Sequence, residues 1–377
     1  MKILKACLHG FRNHVDTVFD FGLRMNVLMG DNGQGKTNTL EALSYCCLTK
    51  SFYASADTTV LQRGKELFEV TAKLEADNGK EFAVRVVYEE ASKTKKFTIN
   101  NIAAEKFSSV IGIFPVVILS PENNSITFGS PADRRKFIDL VVSQSSASYI
   151  EDAMEYRKVL RQRNKILSDA QGNDCAELLA PWNEMLINYG IRILQKRGRF
   201  IQEFAPYITN AYSKIAGEKE APGIAYDSVI PLTADSTDEE IRKGLEQKLQ
   251  RRYKDELRFK TTLVGPHRDE ITFTLNGLQL KHYASQGQHK TFLVALKAAE
   301  FFYLKERCNE TPVFLLDDIF SELDEYRSQK LLNLVESLGQ TFITATSEKI
   351  FGGTNWNTEK RKFLLSNGRI VNEALAA

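Results

Sequence analysis

The chain has 377 residues, of which 43% are hydrophobic and 26% are charged, and its formal net charge at pH 7 is only +2. These values exclude a disordered chain and predict two or three globular domains, with any nucleic-acid surface confined to a local patch. The five cysteines form no paired framework, and neither a membrane-spanning run nor a secretory leader is recognisable, so we expect a cytoplasmic protein that does not bind membranes.

The first third of the sequence predicts short strands, because its apolar residues fall in brief runs separated by turn residues. The runs are 3–11, 15–21, 24–29 and 114–120. Within 68–90, two alternating runs surround Asn78-Gly79, a dipeptide that tolerates positive φ and therefore predicts a hairpin.

The remaining sequence predicts a helical insert followed by alternating elements. Between 131 and 255 the apolar residues recur at helical spacing, and 215–240 is expected to be the loop-rich part of this insert. After it, strands and helices are predicted to alternate at 271–275, 288–306, 313–317, 325–336 and 341–345, before a hairpin around Asn367-Gly368. Such alternation predicts an α/β fold with a sheet covered by helices.

A phosphate-binding motif, G-x-x-x-x-G-K-[ST], occupies 30–37, between a predicted strand and a predicted helix. Its glycines let backbone N–H groups converge on phosphate oxygens, and the N-terminus of the helix adds positive potential. We expect Lys36 to contact the β- and γ-phosphates of ATP and Thr37 to ligate Mg²⁺. The predicted ATP-binding residues here are Gly30, Asp31, Asn32, Gly33, Gln34, Gly35, Lys36, Thr37 and Asn38. A chance match is the alternative, and the flanking strand and helix count against it.

Two adjacent carboxylates, Asp317 and Asp318, follow the apolar run at 312–316. At the tip of a buried strand, such a pair suits a Walker B role, in which Asp317 holds Mg²⁺ and Asp318 orients or activates the attacking water. Taken alone, the pattern fits an ordinary acidic turn equally well. The phosphate-binding loop favours the catalytic interpretation.

The segment Ser285-Gln286-Gly287-Gln288 opens a long predicted helix, where Ser285 can act as the N-cap. A simple helix cap is one interpretation. The segment also resembles the signature motif of the ABC ATPase superfamily, whose Ser and Gly contact the γ-phosphate bound by the opposite subunit. The order of P-loop, Ser-x-Gly-Gln, Asp-Asp and "SELD" (321–324) resembles an entire ABC-type head, and by that resemblance Ser321 and Asp324 lie at a dimer seam.

Among ABC-type heads, the sequence resembles the RecF family of bacterial DNA recombination and repair ATPases. The motifs that carry this resemblance run in family order along nearly the whole chain, at 8–13, 30–38, 48–57, 118–123, 129–139, 156–167, 264–270, 284–291 and 315–324. The sequence departs from the family at Asn123, where an aspartate is typical. Neither the Q-loop glutamine nor the switch histidine of transporters has a clear counterpart, and Thr346 and Ser347 occupy the region of the latter.

The resemblance implies an ABC-type head formed by 1–130 and 256–377, with a smaller, mainly helical lobe inserted at 131–255. It implies a weak, DNA-stimulated ATPase that holds ATP and Mg²⁺ in an ATP-dependent homodimer. The implied partners are DNA (gapped, single- and double-stranded) and RecR and RecO, which help load RecA. The implied catalytic residues are Lys36, Asp317, Asp318 and Ser285, and the further ATP-binding residues are Arg12, Asn13, Ser285, Gly287, Gln288 and Asp324.

Basic residues on two predicted helices are candidates for DNA contacts. Arg157, Arg161 and Lys165 are four residues apart and share one helix face, which could follow a phosphate backbone. Arg134 and Arg135 lie at the start of another helix. A solvated face, or arginines bonded within the lobe, explains the same pattern.

Two other functions stay open at this point. The energising subunit of a transporter would also contain a P-loop, but it would be expected to have a switch histidine and a compact insert. A small-molecule kinase would not need Ser-x-Gly-Gln before Asp-Asp. ATP-switched DNA binding accounts for the most motifs.

Overall fold

The computed structural model describes residues 1–374 apart from 55, 171–173, 234–235, 323, 353 and 355. The strands are β1 (Lys2–Phe11), β2 (His14–Asp20), β3 (Met25–Met29), β4 (Leu67–Glu75), β5 (Glu81–Glu89), β6 (Thr94–Ile99), β7 (Ile102–Ala103), β8 (Val116–Leu119), β9 (Pro222–Asp227), β10 (Glu270–Leu275), β11 (Leu278–Gln279), β12 (Val313–Leu316), β13 (Thr341–Ala345), β14 (Lys360–Ser366) and β15 (Arg369–Ala374). The helices are α1 (Lys36–Leu48), α2 (Asn124–Phe128), α3 (Pro131–Ser145), α4 (Ala147–Asp169), α5 (Ala176–Ala216), α6 (Asp238–Phe259), α7 (Leu280–Tyr283), α8 (Gln286–Cys308) and α9 (Glu325–Glu336). The hairpin predicted around Asn78-Gly79 is confirmed by β4 and β5, which pair antiparallel.

The chain divides into two compact units whose boundary differs from the predicted one. Unit one comprises Met1–Asn124, Ala211–Gly217 and Lys290–Ala377, and unit two comprises Ser125–Asn210 and Glu218–His289. The prediction returned the chain to the head at 256. That boundary is too early, because β9 pairs antiparallel with β10 and so ties the segment before His289 to the insert. The segment 215–240, expected to be loop-rich, contains β9, which was not predicted because its pairing partner β10 lies beyond α6 in the sequence.

The predicted P-loop and Asp-Asp pair lie at one edge of a six-stranded sheet in unit one, with strand order β15-β14-β3-β13-β12-β8. From β14 to β8 all neighbours are parallel, and only β15 runs antiparallel. The carboxyl ends of β3 and β12 therefore meet at the same edge, separated by β13, which is where α/β sheets bind ligands. The predicted strand at 271–275 is not part of this sheet, since β10 belongs to a three-stranded sheet in unit two.

A second sheet in unit one, with order β2-β1-β4-β5-β6-β7, is antiparallel, and α1 contacts strands of both sheets. Aromatic side chains anchor the helix and the sheets. The rings of Phe11, Tyr45 and Phe68 pack edge to face with centroids 5.3–5.6 Å apart. The rings of Phe21 and Phe342 lie 4.8 Å apart. Burying such side chains contributes about 2 kcal/mol or more each, and the contacts of Tyr45 hold the C-terminal end of α1 against the antiparallel sheet.

Unit two contains the long helices α3, α4 and α6 and most of α5, and several of its arginines are buried rather than exposed. Arg163, only 1% exposed, forms a 2.6 Å ion pair with Glu256, and its Nη1 donates to Thr262. Arg197, 5% exposed, pairs with Asp139 at 2.8 Å. Part of the basic sequence pattern therefore stabilises this unit internally. Among the described helices, none is both long and apolar enough to span a bilayer.

Candidate nucleotide site and basic surface

The loop between β3 and α1 has the backbone that a phosphate cradle requires. Gly30, Gly33 and Gly35 all have positive φ, at 147°, 80° and 108°. A Cβ on Gly30 would lie 2.6 Å from the carbonyl oxygen of Leu365, and one on Gly35 would lie 2.8 Å from Asn13 Oδ1. Glycine is therefore needed at both positions for conformation and for space.

The first turn of α1 leaves its donors available. The helix begins at Lys36 with no side-chain cap and no acidic residue in its first turn, so its positive end and N–H groups suit an anion. Lys36 Nζ donates to the carbonyl oxygens of Gly30 at 2.6 Å and Asp31 at 2.8 Å. Burial lowers the pKa of Lys36, and the carboxylates of Asp318, Asp317 and Asp31 act in the opposite direction.

Asp317 follows β12, and its side chain meets the end of the P-loop. Its Oδ1 accepts hydrogen bonds from Thr37 Oγ1 at 2.7 Å and from Thr344 Oγ1 at 2.9 Å. Burial raises the pKa of this carboxyl, and the two hydroxyl donors oppose that rise. The structure thus brings together Lys36, Thr37 and Asp317, which the sequence predicted from motifs 280 positions apart.

Asp318 is held in a conformation that residues other than glycine rarely adopt, with φ of 49°. Its N–H donates to Thr344 Oγ1 at 2.8 Å, and its carbonyl accepts from Ser321 Oγ at 2.8 Å. Thr344 lies on β13, between the strands that carry the two motifs, so one hydroxyl contacts both carboxylate-bearing residues. The sequence pattern points only to Thr346 and Ser347 in that stretch and carries no signal for Thr344.

Two segments distant in sequence fix the P-loop, and neither role was predicted. The buried His14 places Nε2 3.2 Å from the Gly35 carbonyl and Nδ1 2.8 Å from the Gly368 carbonyl. The Asn367-Gly368 turn donates from its two N–H groups to Gln34, at 2.7 Å to Oε1 and 2.9 Å to the backbone oxygen. The predicted hairpin at 367–368 is therefore confirmed, but its contact with the loop carried no sequence signal.

Arg12 and Asn13, between β1 and β2, were both predicted to bind ATP, but only Asn13 contacts the P-loop. Asn13 reaches the loop, since its Nδ2 donates to the Gly33 carbonyl at 3.3 Å and its Oδ1 accepts from Asn38 at 2.8 Å. Arg12 instead forms a two-pronged ion pair with the buried Glu41, at 2.8 and 2.9 Å. The interaction with Glu41 also raises the pKa of Arg12. This pairing counts against a direct ATP contact by Arg12 and favours a role in anchoring α1.

The predicted signature residues Ser285, Gly287 and Gln288 belong to unit two, whereas α8 continues into unit one after His289. Ser285 Oγ accepts the N–H of Gln288 at 3.2 Å, and the Ser285 N–H donates to the Gln288 side chain at 2.7 Å. Ser285 therefore does cap α8, while its side chain remains exposed. Gln288 also donates to Glu220 at 2.6 Å. Capping does not exclude a signature role, because capping uses only one of the hydroxyl's bonding positions.

In unit one, the segment predicted at a dimer seam begins with Ser321 and ends with Asp324. Asp324 caps α9 by accepting the Arg327 N–H at 2.8 Å, and its side chain is 50% exposed. Leu323, within the same motif, lies outside the described residues.

The candidate DNA-binding residues divide into exposed and buried groups. Arg157, Arg161 and Lys165 are exposed along α4. Arg134 is buried and forms a 2.9 Å ion pair with Glu270, so its position corrects the expectation that it contacts DNA. Arg135 is half-buried and donates to the Asp269 carbonyl at 2.5 Å.

Comparison with known proteins decides the family. The family model described as RecF/RecN/SMC N terminal domain matches residues 2–361. The DNA replication and repair protein RecF of Chloroherpeton thalassium is 42% identical over 362 residues, covering 95% of this chain and 98% of that protein. The chain belongs to the RecF family. The RecF of Lysinibacillus sphaericus is 34% identical, over 92% of this chain and 93% of its own.

Solved structures agree with this assignment. A structure of the recombination mediator protein RecF-ATP in the RecFOR pathway matches with a TM-score of 0.90 and 29% identity, covering 99% of this chain and 97% of that one. An SMC head domain from Pyrococcus furiosus, bound to the C-terminal domain of ScpA, matches with a TM-score of 0.58 and 13% identity, which concerns the fold alone. The predicted ABC-type α/β head is therefore confirmed, and the transporter alternative loses its support.

The side chains at the sheet edge fit a Mg²⁺ ion. The hydroxyl of Thr37 and the carboxylate of Asp317 are 2.7 Å apart, close enough to share one cation. No group of three His, Cys, Asp or Glu side chains suited to a metal occurs in the described part of the chain. Thr37 and Asp317 together form the donor set expected for Mg²⁺ in nucleotide sites, where one or two protein ligands are completed by phosphate oxygens and water.

Proposed function

We propose that this protein is an ATP-switched DNA-binding protein of DNA replication and recombinational repair, and that slow ATP hydrolysis resets the switch. The observation that carries the proposal is the meeting of Lys36 and Thr37 with Asp317 at one sheet edge, in a chain whose family includes the RecF-ATP structure. A P-loop kinase acting on a small molecule is not favoured by any observation at this edge.

In the proposed ATP complex, Lys36 exchanges its bonds to the Gly30 and Asp31 carbonyls for oxygens of the β- and γ-phosphates. Thr37 and Asp317 hold Mg²⁺, which when bound neutralises charge that builds up on the phosphate oxygens. The Asp318 carboxylate then orients the attacking water and accepts its proton. Its backbone is fixed by Thr344 and Ser321, so this position is set before the nucleotide arrives.

The second half of the proposed site comes from another copy of the chain. Ser285 is exposed at the N-terminus of α8, which is a suitable donor for a γ-phosphate held by a partner. Gly287 beside it permits close backbone approach, and Asp324 is half exposed and charged. ATP would thus join two heads and hydrolysis would separate them. DNA would bind through backbone phosphates. Its contacts after the burial of Arg134 would be Arg135, Arg157, Arg161 and Lys165.

The partners proposed from the family are RecO and RecR, with RecA as the protein that is finally loaded at single-strand gaps beside duplex. The mention of the RecFOR pathway for the RecF-ATP structure supports this context.

The test is fluorescence anisotropy of labelled gapped DNA with ATP, with ADP and without nucleotide, together with sedimentation to measure dimerisation. Lys36→Met should remove the ATP dependence because the phosphate-binding amine is lost. Ser285→Arg should leave ATP binding by the monomer intact and prevent the ATP-dependent dimer, whereas Thr209→Arg, at another exposed position of unit two, should dimerise normally.

Normal ATP-dependent dimerisation of the Ser285→Arg variant would refute the trans arrangement. Absence of DNA binding by the unmodified protein in every nucleotide state, with RecR and RecO added, would refute the DNA function itself.

A further inference from the structure

A pocket in unit two, outside the nucleotide site, has an unusual excess of positive charge. It lies among α3, α4, α5 and the turn at Pro266-His267, and its volume is about 220 Å³. Four basic side chains line it, namely Arg135, Lys136, Arg157 and Arg197. Asp139 is the only carboxylate among its lining residues.

That carboxylate is already committed to other groups. Asp139 accepts from Arg197 at 2.8 Å and from the hydroxyl of Tyr149, and Arg157 lies further away at 3.6 Å. Asp269, behind the pocket, is likewise bonded by Tyr226, by the Val229 N–H and by Arg197. Glu270, which also acts on Arg135, is paired with Arg134 at 2.9 Å. The direct bonds of these three carboxylates therefore go to Arg197, Arg134 and tyrosine hydroxyls, and the pocket keeps an excess of positive charge.

Arg135 has nearby carboxylates but no direct bond to one of them. Its guanidinium is half-buried and donates to a backbone carbonyl, that of Asp269, rather than to a carboxylate. Among the ion pairs of the described residues, none includes Arg135 or Lys136. Burial and then the charge of Arg197 lower the pKa of Arg135, while the carboxylates of Asp269, Glu270 and Asp139 act in the opposite direction without bonding to it. A half-buried arginine without an acidic partner is costly unless an anion completes the site.

The polar groups at the back of the pocket favour an anion and not a cation. His267 Nε2 faces the Thr262 carbonyl at 3.1 Å and therefore carries the proton, so Nδ1 accepts the Tyr156 hydroxyl at 2.7 Å. Burial lowers the pKa of His267 to about 4, which leaves the ring neutral. The Tyr156 hydroxyl and both ring nitrogens of His267 therefore have hydrogen-bond partners. The donors available to a ligand are the ammonium and guanidinium groups at the rim of the pocket.

We infer that this pocket binds a phosphate group of a nucleic-acid strand through Arg135, Lys136 and Arg157. The exposed face of α4 continues from Arg157 through Arg161 to Lys165, in steps of about 6 Å along the helix axis. A strand anchored by one phosphate in the pocket could therefore follow this face with the next ones. The apolar lining residues Ala132, Ala153 and Leu160 would meet the sugar beside the anchored phosphate. This inference rests on the proposed DNA-binding function and specifies where the strand is held.

The test compares the unmodified protein with the double variant Lys136→Gln/Arg157→Gln, whose positions are exposed and whose folding is checked by thermal unfolding. The matched control is Lys243→Gln/Lys254→Gln, which removes the same charge from exposed positions of α6. The readout is anisotropy of gapped and single-stranded DNA with ATP over a salt series. We expect the pocket variant to bind at least tenfold more weakly and to reduce the slope of log affinity against log salt by about one, since the pocket holds one phosphate and each lost phosphate contact removes about one unit. The control should keep the original slope.

Two oligonucleotides, identical except for a 5′-phosphate or a 5′-hydroxyl, identify the source of the phosphate. A preference for the 5′-phosphate that disappears in the pocket variant supports capture of a terminal phosphate, and equal binding with the reduced slope supports a backbone phosphate. If the unmodified protein binds DNA and the pocket variant keeps its affinity and slope, the pocket inference is wrong while the proposed function stands. If the unmodified protein binds no DNA, the proposed function is wrong, and the pocket inference falls with it.

Discussion

Thr344 is the residue whose removal tests the geometry of the nucleotide site most directly. Its single hydroxyl donates to Asp317 Oδ1 at 2.9 Å and accepts the N–H of Asp318 at 2.8 Å. Thr344→Val keeps the shape and the β-branching of the side chain but removes both bonds. Thr344→Ser keeps the hydroxyl and serves as the control.

Thr344→Val removes two hydrogen bonds at the end of β12. The lost bond to a carboxylate is worth about 1.5–3 kcal/mol, and leaving the Asp318 N–H without a partner costs about 1–3 kcal/mol more. We therefore expect the valine variant to be less stable by roughly 4 kcal/mol. Because Asp318 would no longer be held at its positive φ, a displacement on the order of 1 Å is expected, and such a displacement lowers a catalytic rate about 100-fold.

The assay is steady-state ATP hydrolysis combined with nucleotide binding. ATP affinity should change little in Thr344→Val, because Lys36 and the N–H groups of the loop are untouched, while kcat falls. Thr344→Ser should recover most of the rate. Hydrolysis by the valine variant at the unmodified rate, or an equal loss in both variants, would refute the positioning role of the hydroxyl.

Three further predictions follow from buried charges. Burial raises the pKa of Asp317, so the ionised carboxylate lowers the stability of the folded state at pH values above that pKa. Asp317→Asn should therefore raise the Tm measured without nucleotide by a few degrees, while it abolishes Mg²⁺-dependent hydrolysis. A lowered Tm in calorimetry would contradict this expectation. His267 has a pKa of about 4 against an ordinary 6.5, so the folded state favours the neutral ring and stability falls as pH drops from about 6.5 to about 4, by up to roughly 3 kcal/mol; urea unfolding at several pH values should give a flatter profile for His267→Gln. Glu256→Gln leaves the buried Arg163 without its partner and should cost about 3–5 kcal/mol in urea unfolding, whereas Lys158→Gln, in an exposed pair, should cost under about 1 kcal/mol.

The sequence predicted those parts of the site that are encoded locally. The glycines of the P-loop, Lys36, and the Asp317-Asp318 pair each combine a residue type with a strand end, and parallel pairing then brings the strand ends together. The family resemblance extended this to the whole head because its motifs occur in order along the chain.

The parts that the sequence did not predict depend on tertiary contacts between distant segments. His14 and Thr344 are ordinary residues until β14, β13 and the P-loop come together, so no periodicity marks them. The end of the insert was misplaced because the pairing of β9 with β10 joins segments separated by α6. Arg134 was a candidate for DNA contact because its acidic partner, Glu270, lies far along the chain.

The strand order has a consequence for the order of synthesis. β3, which presents the P-loop, ends at Met29, but its two neighbours in the sheet begin at Thr341 and Lys360. The turn that bonds to Gln34 comes later still, at Asn367-Gly368. A growing chain on the ribosome therefore carries the phosphate-binding sequence through most of translation without the strands that give it a shape. Competence to hold ATP arises only when the last strands pair, and nucleotide bound at that moment stabilises the finished topology by mass action.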